Sequence, residues 1–368
     1  MQRIRWHDSE EGSQTPTDRL LDEAERAISE GVREMACRLN RGANSFKQTA
    51  ENLGRAAHLQ VSKETLRQLI EQEGRAVLEA QRRGELAPDW QASDCRTESG
   101  TTRVYLGADG VMVPVITDAE KKKRRENVRQ KRQKRGRRCR PLPPRKEGAD
   151  QQYKEFKLAV FYDETQERRY VGATSGDHAV LGRMMQRMAL QINLKKADEK
   201  VGNVDGSPWI RNEIELYGLV DALGLDYYHL RDNVQKTRRV VYGEENPAGQ
   251  DWKNEIMGLF YEQGYEAAWE QLLAWRGSLR GAKRQEADRL LGYIAQRRNM
   301  IRYPEFLQHG WQIGSGPTEA QCKASTQRLK GRGRRWDRGN AEAVMALDCL
   351  DSSNAWHNYW ATLDPQRN

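Results

Sequence analysis

The sequence has few cysteines and no long apolar stretch, and each absence excludes a class of protein. Its five cysteines are scattered, at positions 37, 95, 139, 322 and 349. Such an odd, dispersed set excludes a Cys-x-x-Cys zinc site and argues against a disulfide framework. No segment approaches the roughly 18 apolar residues of a membrane span, and the first residues have no apolar stretch typical of a secretory signal. We therefore expect a soluble, cytoplasmic protein without a membrane partner.

Acidic residues are nearly absent from one internal segment, which carries the excess positive charge. The chain has 62 Lys and Arg against 53 Asp and Glu, a formal net charge of +9. Residues 121–146 contain fifteen Lys or Arg and one acid, Glu126, and the rest of the chain is mildly acidic. Concentrated positive charge is typical of a nucleic-acid-binding segment, because each neutralised phosphate releases counterions. The alternative is a solvated basic segment with no dedicated partner.

The hydrophobic periodicity changes along the chain and predicts a sequence of regions. Residues 19–39 have apolar side chains at helical spacing, and the first forty residues are interpreted as helical and polar. The predicted regions are an all-α N-terminal region at 1–98 with a helix-turn-helix at about 44–83, the first part of an α/β core at 99–231 that includes the basic segment 121–146, a helical insertion at 232–304, and the completion of the core at 305–368.

Residues 44–74 have the outline of a helix-turn-helix. Ser45 and Gln48 make a capping box at the start of a short helix, and HLQV at 58–61 is the turn. Ser62 caps a second helix, which would enter a major groove of DNA and turns its apolar residues Leu66, Leu69 and Ile70 inward. Helical hairpins without a DNA function share this pattern, so the pattern alone leaves both interpretations open.

Residues 101–231 alternate between strand-like and helical patterns. A strand-like stretch surrounds Asp109, a hairpin follows, and a later strand runs into Asp205. The predicted elements are strands near 103–116, 156–162, 167–173, 200–204 and 225–228, with helices at about 178–195 and before residue 223. The order β-β-β-α-β-α-β predicts a mixed sheet with helices, an α/β core. After residue 231 the pattern becomes helical up to about residue 304, interrupted by NPAG at 246–249.

Three carboxylates are candidates for chemistry. Asp109 and Asp205 each end a short apolar strand and precede a glycine, while Glu319 falls in the first turn of a predicted helix behind Gly316 and Pro317. Each has a structural explanation, because Asp-Gly favours tight turns and a carboxylate favours the positive end of a helix. If the three converge at the sheet, their oxygens suit two Mg²⁺ ions, which together stabilise in-line phosphoryl displacement.

Four segments resemble the DDE transposases of bacterial insertion sequences, most closely the ISKra group. They are GADGVMVP at 107–114, VDGSPWIRNEI at 204–214, LGLDYYHL at 223–230, and a region at 297–336. The most specific element is Gly-Ser-Gly-x-x-Glu-Ala-x-x-Lys at 314–323, and the resemblance extends over about 44–350. It implies an RNase H-like catalytic core with a helical insertion before its last acid, preceded by an all-α helix-turn-helix region.

The resemblance also implies roles for individual residues. Asp109, Asp205 and Glu319 would form the catalytic triad and bind two Mg²⁺ ions, which Mn²⁺ can replace. Asp226 and His229 would be an auxiliary pair beside the triad, although a buried, satisfied histidine is an equally good account. From charge and position, the candidates for DNA contacts are Ser62, Lys63, Arg67, Lys121, Arg124, Arg125, Lys131, Arg132, Lys134, Arg135, Lys323, Arg328 and Lys330.

The sequence thus predicts a transposase that cleaves the ends of a mobile element and transfers the strand into target DNA. Its partners would be the terminal repeats, the target DNA and at least one further copy of the chain, at the bacterial nucleoid. Two alternatives stay open. One is a DNA-binding protein without chemistry, such as a regulator or a domesticated transposase. The other is a structure-selective nuclease or resolvase that uses the same metal pair.

Overall fold

The computed structural model describes residues 6–9, 12–14, 28–136 and 141–363. These residues form a mixed α/β structure in which helices predominate and the largest sheet has five strands. The α/β class expected from the sequence is confirmed. The chain divides into two compact units, the first made of Met1–Leu86, Val113–Lys154 and Ser325–Asn368 and the second of Ala87–Met112 and Glu155–Ala324. The regions drawn from the sequence stay predictions.

The helices and strands are numbered in chain order. The strands are β1 (Trp6–Asp8), β2 (Gly12–Gln14), β3 (Arg103–Pro114), β4 (Tyr153–Tyr162), β5 (Arg169–Thr174), β6 (Glu199–Val204) and β7 (Ala222–Leu225). The helices are α1 (Glu30–Arg41), α2 (Phe46–Ala57), α3 (Lys63–Arg83), α4 (Asp118–Lys134), α5 (His178–Gln191), α6 (Pro208–Leu216), α7 (Tyr227–Tyr242), α8 (Pro247–Glu262), α9 (Tyr265–Gly277), α10 (Gly281–Ala295), α11 (Tyr303–Gln308), α12 (Gly316–Thr326), α13 (Arg338–Ser352) and α14 (Trp356–Leu363). None of the helices in the described ranges is long and apolar enough to cross a membrane.

In the first unit, α2 and α3 are joined by the turn that the sequence predicts. The Ser45 hydroxyl accepts a hydrogen bond from the Gln48 amide, and the Ser62 hydroxyl accepts one from the Thr65 amide. The return bond of the predicted capping box differs, because the Gln48 side chain accepts from Asn44 rather than from Ser45. His58 ends α2 in the left-handed conformation, which turns the chain toward α3. The recognition of DNA by α3 stays a prediction.

The long helix α3 packs closely on α13 within the same unit. Leu66 and Ile70 on α3 are fully buried and Leu69 nearly so, as the helical spacing predicts. A Cβ atom at Gly74 would lie 2.2 Å from the carbonyl oxygen of Ala343, so only glycine allows this approach of the two backbones. The α13 helix is buried along most of its length, and α3 is one of the helices that cover it.

The basic segment is partly helical in the first unit. Thr117 and Glu120 make a reciprocal capping box that begins α4, and no residue of α4 is buried. Its solvent-exposed charge agrees with both interpretations of the segment, a nucleic-acid contact or a solvated surface. Residues 137–140 of this segment, including Cys139, lie outside the described residues. The other four cysteines are buried, and none of them forms a disulfide within the described residues.

The second unit contains the five-stranded sheet, with the strand order β5-β4-β3-β6-β7. The β3 and β7 strands each pair parallel with β6, while β4 and β5 form an antiparallel hairpin. The strands are buried almost continuously because helices and the hydrophobic core cover them, with side chains such as Val160 and Phe161 at most 1% exposed. Burying each such side chain contributes about 1.5–3 kcal/mol.

After β7 the chain is helical from α7 to α11, as the periodicity predicts. Asn246 caps α8 and Pro247 occupies its first turn, so NPAG begins a helix. Trp252, Ile256 and Phe260, which recur at helical spacing in this block, belong to the core of this unit. These helices follow the sheet along the chain and precede α12, which carries Glu319.

Two predictions of secondary structure are wrong. The strand predicted at 225–228 ends at Leu225, because the Asp226 side chain caps α7 and Tyr227 is already helical. In the region interpreted as helical at 1–40, Trp6–Asp8 and Gly12–Gln14 form a small antiparallel pair. Of the helix expected at 19–39, residues 19–27 lie outside the described residues, and the described part begins at Glu30.

Candidate metal centre

Three aspartates lie at the same level of three adjacent strands in the second unit. The pairing of β3 with β6 matches Leu106 to Gly202, and carrying this register forward brings Asp109 level with Asp205. The pairing of β6 with β7 matches Val204 to Leu225, which brings Asp226 level with Asp205. Because neighbouring strands lie about 4.8 Å apart, the register alone forms a row of carboxylates.

Asp226, at one end of this row, is fully buried, and both of its carboxylate oxygens accept hydrogen bonds. One carboxylate oxygen accepts a hydrogen bond from the His229 amide at 2.8 Å, and the other accepts from the Ser315 amide. Burial raises the pKa of this carboxyl, but the hydrogen bonds from His229 and Ser315 outweigh it and lower the pKa to about 2. Asp226 is therefore an anion that fixes the start of α7 and the residues just before α12.

His229, in the first turn of α7, links Asp226 to Glu319. Its Nδ1 lies 3.3 Å from Oδ1 of Asp226 and 3.8 Å from Oε1 of Glu319. The interaction with Asp226 raises the pKa of His229 most, burial opposes it, and the charges of Asp205 and Glu319 add to the increase, to about 8. Without a cation the imidazole is thus mostly protonated at neutral pH and pairs with both carboxylates.

Glu319 is placed by the first turn of α12, which begins at Gly316, one residue before the Pro317 start expected from the sequence. The Ser315 hydroxyl donates to Oε1 of Glu319 at 3.4 Å. A Cβ atom at Gly107 would lie 1.7 Å from the Thr318 hydroxyl oxygen, so α12 rests directly on β3 at this glycine. This contact brings the Glu319 carboxylate, which is 55% exposed, to the strand that carries Asp109.

Asp109 is partly buried, and its surroundings favour a bound cation. Burial raises the pKa of the Asp109 carboxyl most, and the negative charge of Asp205 raises it further. Hydrogen bonds from the Gly110 amide and the Cys322 thiol, together with the charge of His229, oppose this without cancelling it. The two neighbouring carboxylates repel each other, and a bound divalent cation would reduce this repulsion.

Asp205 also has the structural role expected of an Asp-Gly turn. Its two carboxylate oxygens accept hydrogen bonds from the amide and the hydroxyl of Ser207, at 2.8 and 2.7 Å. The next residue, Gly206, has a φ of +79°, which favours glycine. Asp205 is thus held at the end of β6 and remains partly exposed. A turn residue and a ligand are compatible, since each carboxylate oxygen has a second lone pair.

An open cavity of about 580 Å³ exposes part of this cluster of acidic residues to solvent. It is lined by Asp109, His229 and Glu319, together with Tyr228, Arg231 and Asp232. The Arg231 guanidinium lies 4.8 Å from the centre of the Tyr228 ring. Periodicity singled out neither Tyr228, which fell in the strand predicted at 225–228, nor Arg231, which lies between that strand and the predicted helical block. The cavity therefore combines carboxylates with an arginine, Arg231, whose charge is permanent.

The structure brings together part of the predicted triad. Asp226, His229 and Glu319 offer ligand atoms within 4.8 Å of one another, a group that could hold a metal ion, and it is the one such group among the described residues. It contains one triad member and both auxiliary residues. Asp109 shares the cavity with this group, and Asp205 acts on Asp109 and His229 through its charge. The oxygen-rich donors fit a hard divalent cation, and the imidazole also suits Mn²⁺ or Zn²⁺.

The residues predicted to contact DNA fall into three sets. Exposed cations free to reach a phosphate are Lys63, Arg124, Lys131, Lys134, Arg135, Lys323 and Lys330. Several others already make contacts within the first unit. Arg67 pairs with Glu64 and Glu71, Lys121 pairs with Asp337, and Arg125 donates to backbone carbonyls. Ser62 is used as a helix cap, Arg132 is partly buried, and Arg328 is buried.

Comparisons with known proteins add little to this geometry. No protein-family model matches the chain, and no curated protein matches it. Among solved structures, the chain is similar to the Drosophila P element transposase strand transfer complex, with a TM-score of 0.29 and 9% sequence identity, over 92% of this chain and 82% of that chain. A likeness at that TM-score does not establish a shared fold or function.

Proposed function

We propose that this protein is a metal-dependent DNA transposase of the DDE type, built on an RNase H-like core. The observation that carries the proposal is the cavity lined by Asp109, His229 and Glu319, with Asp226 beside His229 and Asp205 level with Asp109 on the neighbouring strand. Each carboxylate also has a structural explanation. The placement of Asp109 and Glu319 at one cavity has none, because neighbouring like charges raise the free energy of the fold unless a cation binds between them.

Bound divalent ions, Mg²⁺ or Mn²⁺, would activate water and neutralise charge on the attacked phosphate. The chain's residues bind and orient these ions. Asp109 and Asp205 supply oxygens from adjacent strands, Glu319 completes the set from α12, and Asp226 holds His229 against Glu319. Arg231 lines the same cavity and is placed to contact a phosphate oxygen.

The proposed chemistry consists of two balanced displacements. Water attacks a phosphodiester at the element end, and the bond to the 3′-oxygen breaks to release a 3′-hydroxyl. That hydroxyl then attacks a phosphodiester of target DNA, with loss of a second 3′-hydroxyl, so one phosphodiester forms as another breaks. The helices α2 and α3 and the exposed cations of α4 are proposed to bind the DNA, and joining two element ends requires at least a dimer.

The test uses DNA containing the ends of the element that flank the gene, incubated with Mg²⁺ or Mn²⁺. We expect a defined nick at the repeat ends, which Asp109→Asn, Asp205→Asn and Glu319→Gln abolish while DNA binding survives. Matched controls are Asp89→Asn and Glu262→Gln, exposed acids of the same unit outside the cavity, which should cleave normally.

Normal cleavage by any one of the three variants would remove that residue from the site. Binding without cleavage by the wild-type protein would favour the silent DNA-binding alternative. Cleavage that ignores the repeat sequence would instead favour a structure-selective nuclease.

A further inference from the structure

The first unit contains a cavity of about 570 Å³ whose lining is strongly basic. Its basic residues are Arg67, Arg124, Lys146, Arg328, Arg334 and Arg335. Two carboxylates also line it, and each is already paired. Glu71 lies 2.6 Å from Arg67, and Asp337 lies 2.5 Å from Lys121. The cavity therefore has an excess of positive charge that its own acids do not neutralise.

Arg328 is the most unusual of these residues. It is 3% exposed, and its guanidinium lies beside the rings of both Phe46 and Trp336, at 4.7 and 5.2 Å from their centres. Its Nε donates to Oδ1 of Asn40 at 3.2 Å, and within the described ranges no carboxylate lies within ion-pair distance of it. A buried guanidinium without a paired anion is costly, so such groups are usually paired or bound to a ligand.

The neighbours of Arg328 do not supply the missing anion. Asp348 attracts it at longer range, but that carboxylate is bound by Arg41 at 2.8 Å. Arg334 also lines the cavity and donates to the carbonyl of Arg328 and the side chain of Asn44, both neutral acceptors. Burial lowers the pKa of Arg328 most, and the charge of Arg334 lowers it further, to about 10.

The start of α2 completes the lining of the cavity. Asn44, Ser45 and Phe46 line it, and α2 has twelve residues. The first amides of a helix point outward along its axis and attract anions, most strongly when a cation faces them. Here the buried guanidinium of Arg328 stacks on Phe46, the first residue of that helix.

We propose that this cavity binds a phosphate group of DNA, with Arg328 and the start of α2 as its principal contacts. The source of the phosphate rests on the proposed function, whereas the anion site itself does not. The aromatic faces of Phe46 and Trp336 are occupied by the guanidinium, so a phosphate rather than a stacked base fits the cavity. The contact positions the DNA backbone and does not select a base sequence.

The first experiment measures Tm in inorganic phosphate against chloride at equal ionic strength. Phosphate at several times its Kd should raise the wild-type Tm by about 1–2 °C. In Arg328→Met the increment should disappear while the Tm in chloride stays equal or rises, because an unpaired buried charge has been removed. Arg328→Lys keeps the charge and should retain part of the increment.

The matched control is Arg38→Met, since Arg38 also stacks on a ring, that of Trp356 at 5.6 Å, but lies near Asp351 and outside the cavity. This variant should keep the full phosphate increment. A lower Tm in Arg328→Met together with an intact increment would show that Arg328 is merely structural and would overturn the proposal.

The second experiment identifies the source of the phosphate. Binding of a duplex oligonucleotide is measured over a range of salt concentrations, without divalent ions. Arg328→Met should reduce the slope of log K against log salt by about 1, and Arg38→Met should not. Loss of the phosphate increment with an unchanged slope would assign the cavity to a free anion and overturn the DNA assignment. Cleavage is not measured here, so failure of the transposase proposal would be seen separately.

Discussion

The contact between β3 and α12 gives the sharpest test of how the site is held. Gly107 lies on β3, and a Cβ atom there would be 1.7 Å from the Thr318 hydroxyl oxygen and 2.9 Å from the Thr318 Cβ. The Gly107→Ala change therefore forces α12 away from the strand. Glu319 follows Thr318 along the chain, so the same displacement moves a proposed ligand.

The magnitude follows from the size of the overlap. Overpacking of a well-packed contact costs about 1–3 kcal/mol. The Thr318 hydroxyl can rotate away, but the Thr318 Cβ at 2.9 Å is attached directly to the backbone of α12 and can move only with the helix. We expect Gly107→Ala to reduce the free energy of unfolding by this amount in a urea titration. The proposed metal site implies that Mn²⁺ raises the Tm of the wild type. In Gly107→Ala this increase should largely vanish, because a displacement of about 1 Å removes a ligand from its position.

A second substitution separates this cause from a general effect of alanine in a strand. The Thr318 hydroxyl is buried and has no hydrogen-bond partner among the described residues, so Thr318→Ala alone should be nearly neutral. In the double variant Gly107→Ala with Thr318→Ala, most of the lost stability should return. Gly258→Ala is the control, since its Cβ would meet nothing within 4 Å in α8, and it should stabilise by up to about 1 kcal/mol. Additive effects of Gly107→Ala and Thr318→Ala would refute the contact.

Two further predictions concern other parts of the molecule. Gly74→Ala gains helix propensity in α3, but its Cβ would lie 2.2 Å from a backbone oxygen of α13, so a net loss of about 1–3 kcal/mol is expected in chemical denaturation; a gain would show that the helices are further apart. His229 has a pKa of about 8 against 6.5 unfolded, so its ion pairs stabilise the metal-free protein fully below pH 6.5 and lose this effect as the pH rises through 8. The difference in free energy of unfolding between wild type and His229→Gln should therefore shrink between pH 6 and about 9. The change should be no more than about 1 kcal/mol, because the His229 side chain is 41% exposed. A pH-independent difference would contradict the pairing.

Much of the secondary structure is a local property and could be predicted from the sequence. The hydroxyls of Ser45 and Ser62 cap helices through bonds to residues three positions away, and such bonds depend on neighbouring residues alone. The position of Glu319 in the first turn of α12 follows from the adjacent Gly316 and Pro317 in the same way. The strand expected at 225–228 was wrong because Asp226 caps a helix, and its second oxygen is bound by a residue distant in the sequence, Ser315.

The sequence by itself determined most of the order of strands and helices and the basic segment, because periodicity, capping and charge depend on nearby residues. The tertiary structure alone decided which carboxylates meet. The strand register that sets Asp109 level with Asp205, the approach of Thr318 to Gly107 and the burial of Arg328 all join positions far apart in the chain. Such contacts are selected by the packing of the whole unit, and no local pattern contains that information.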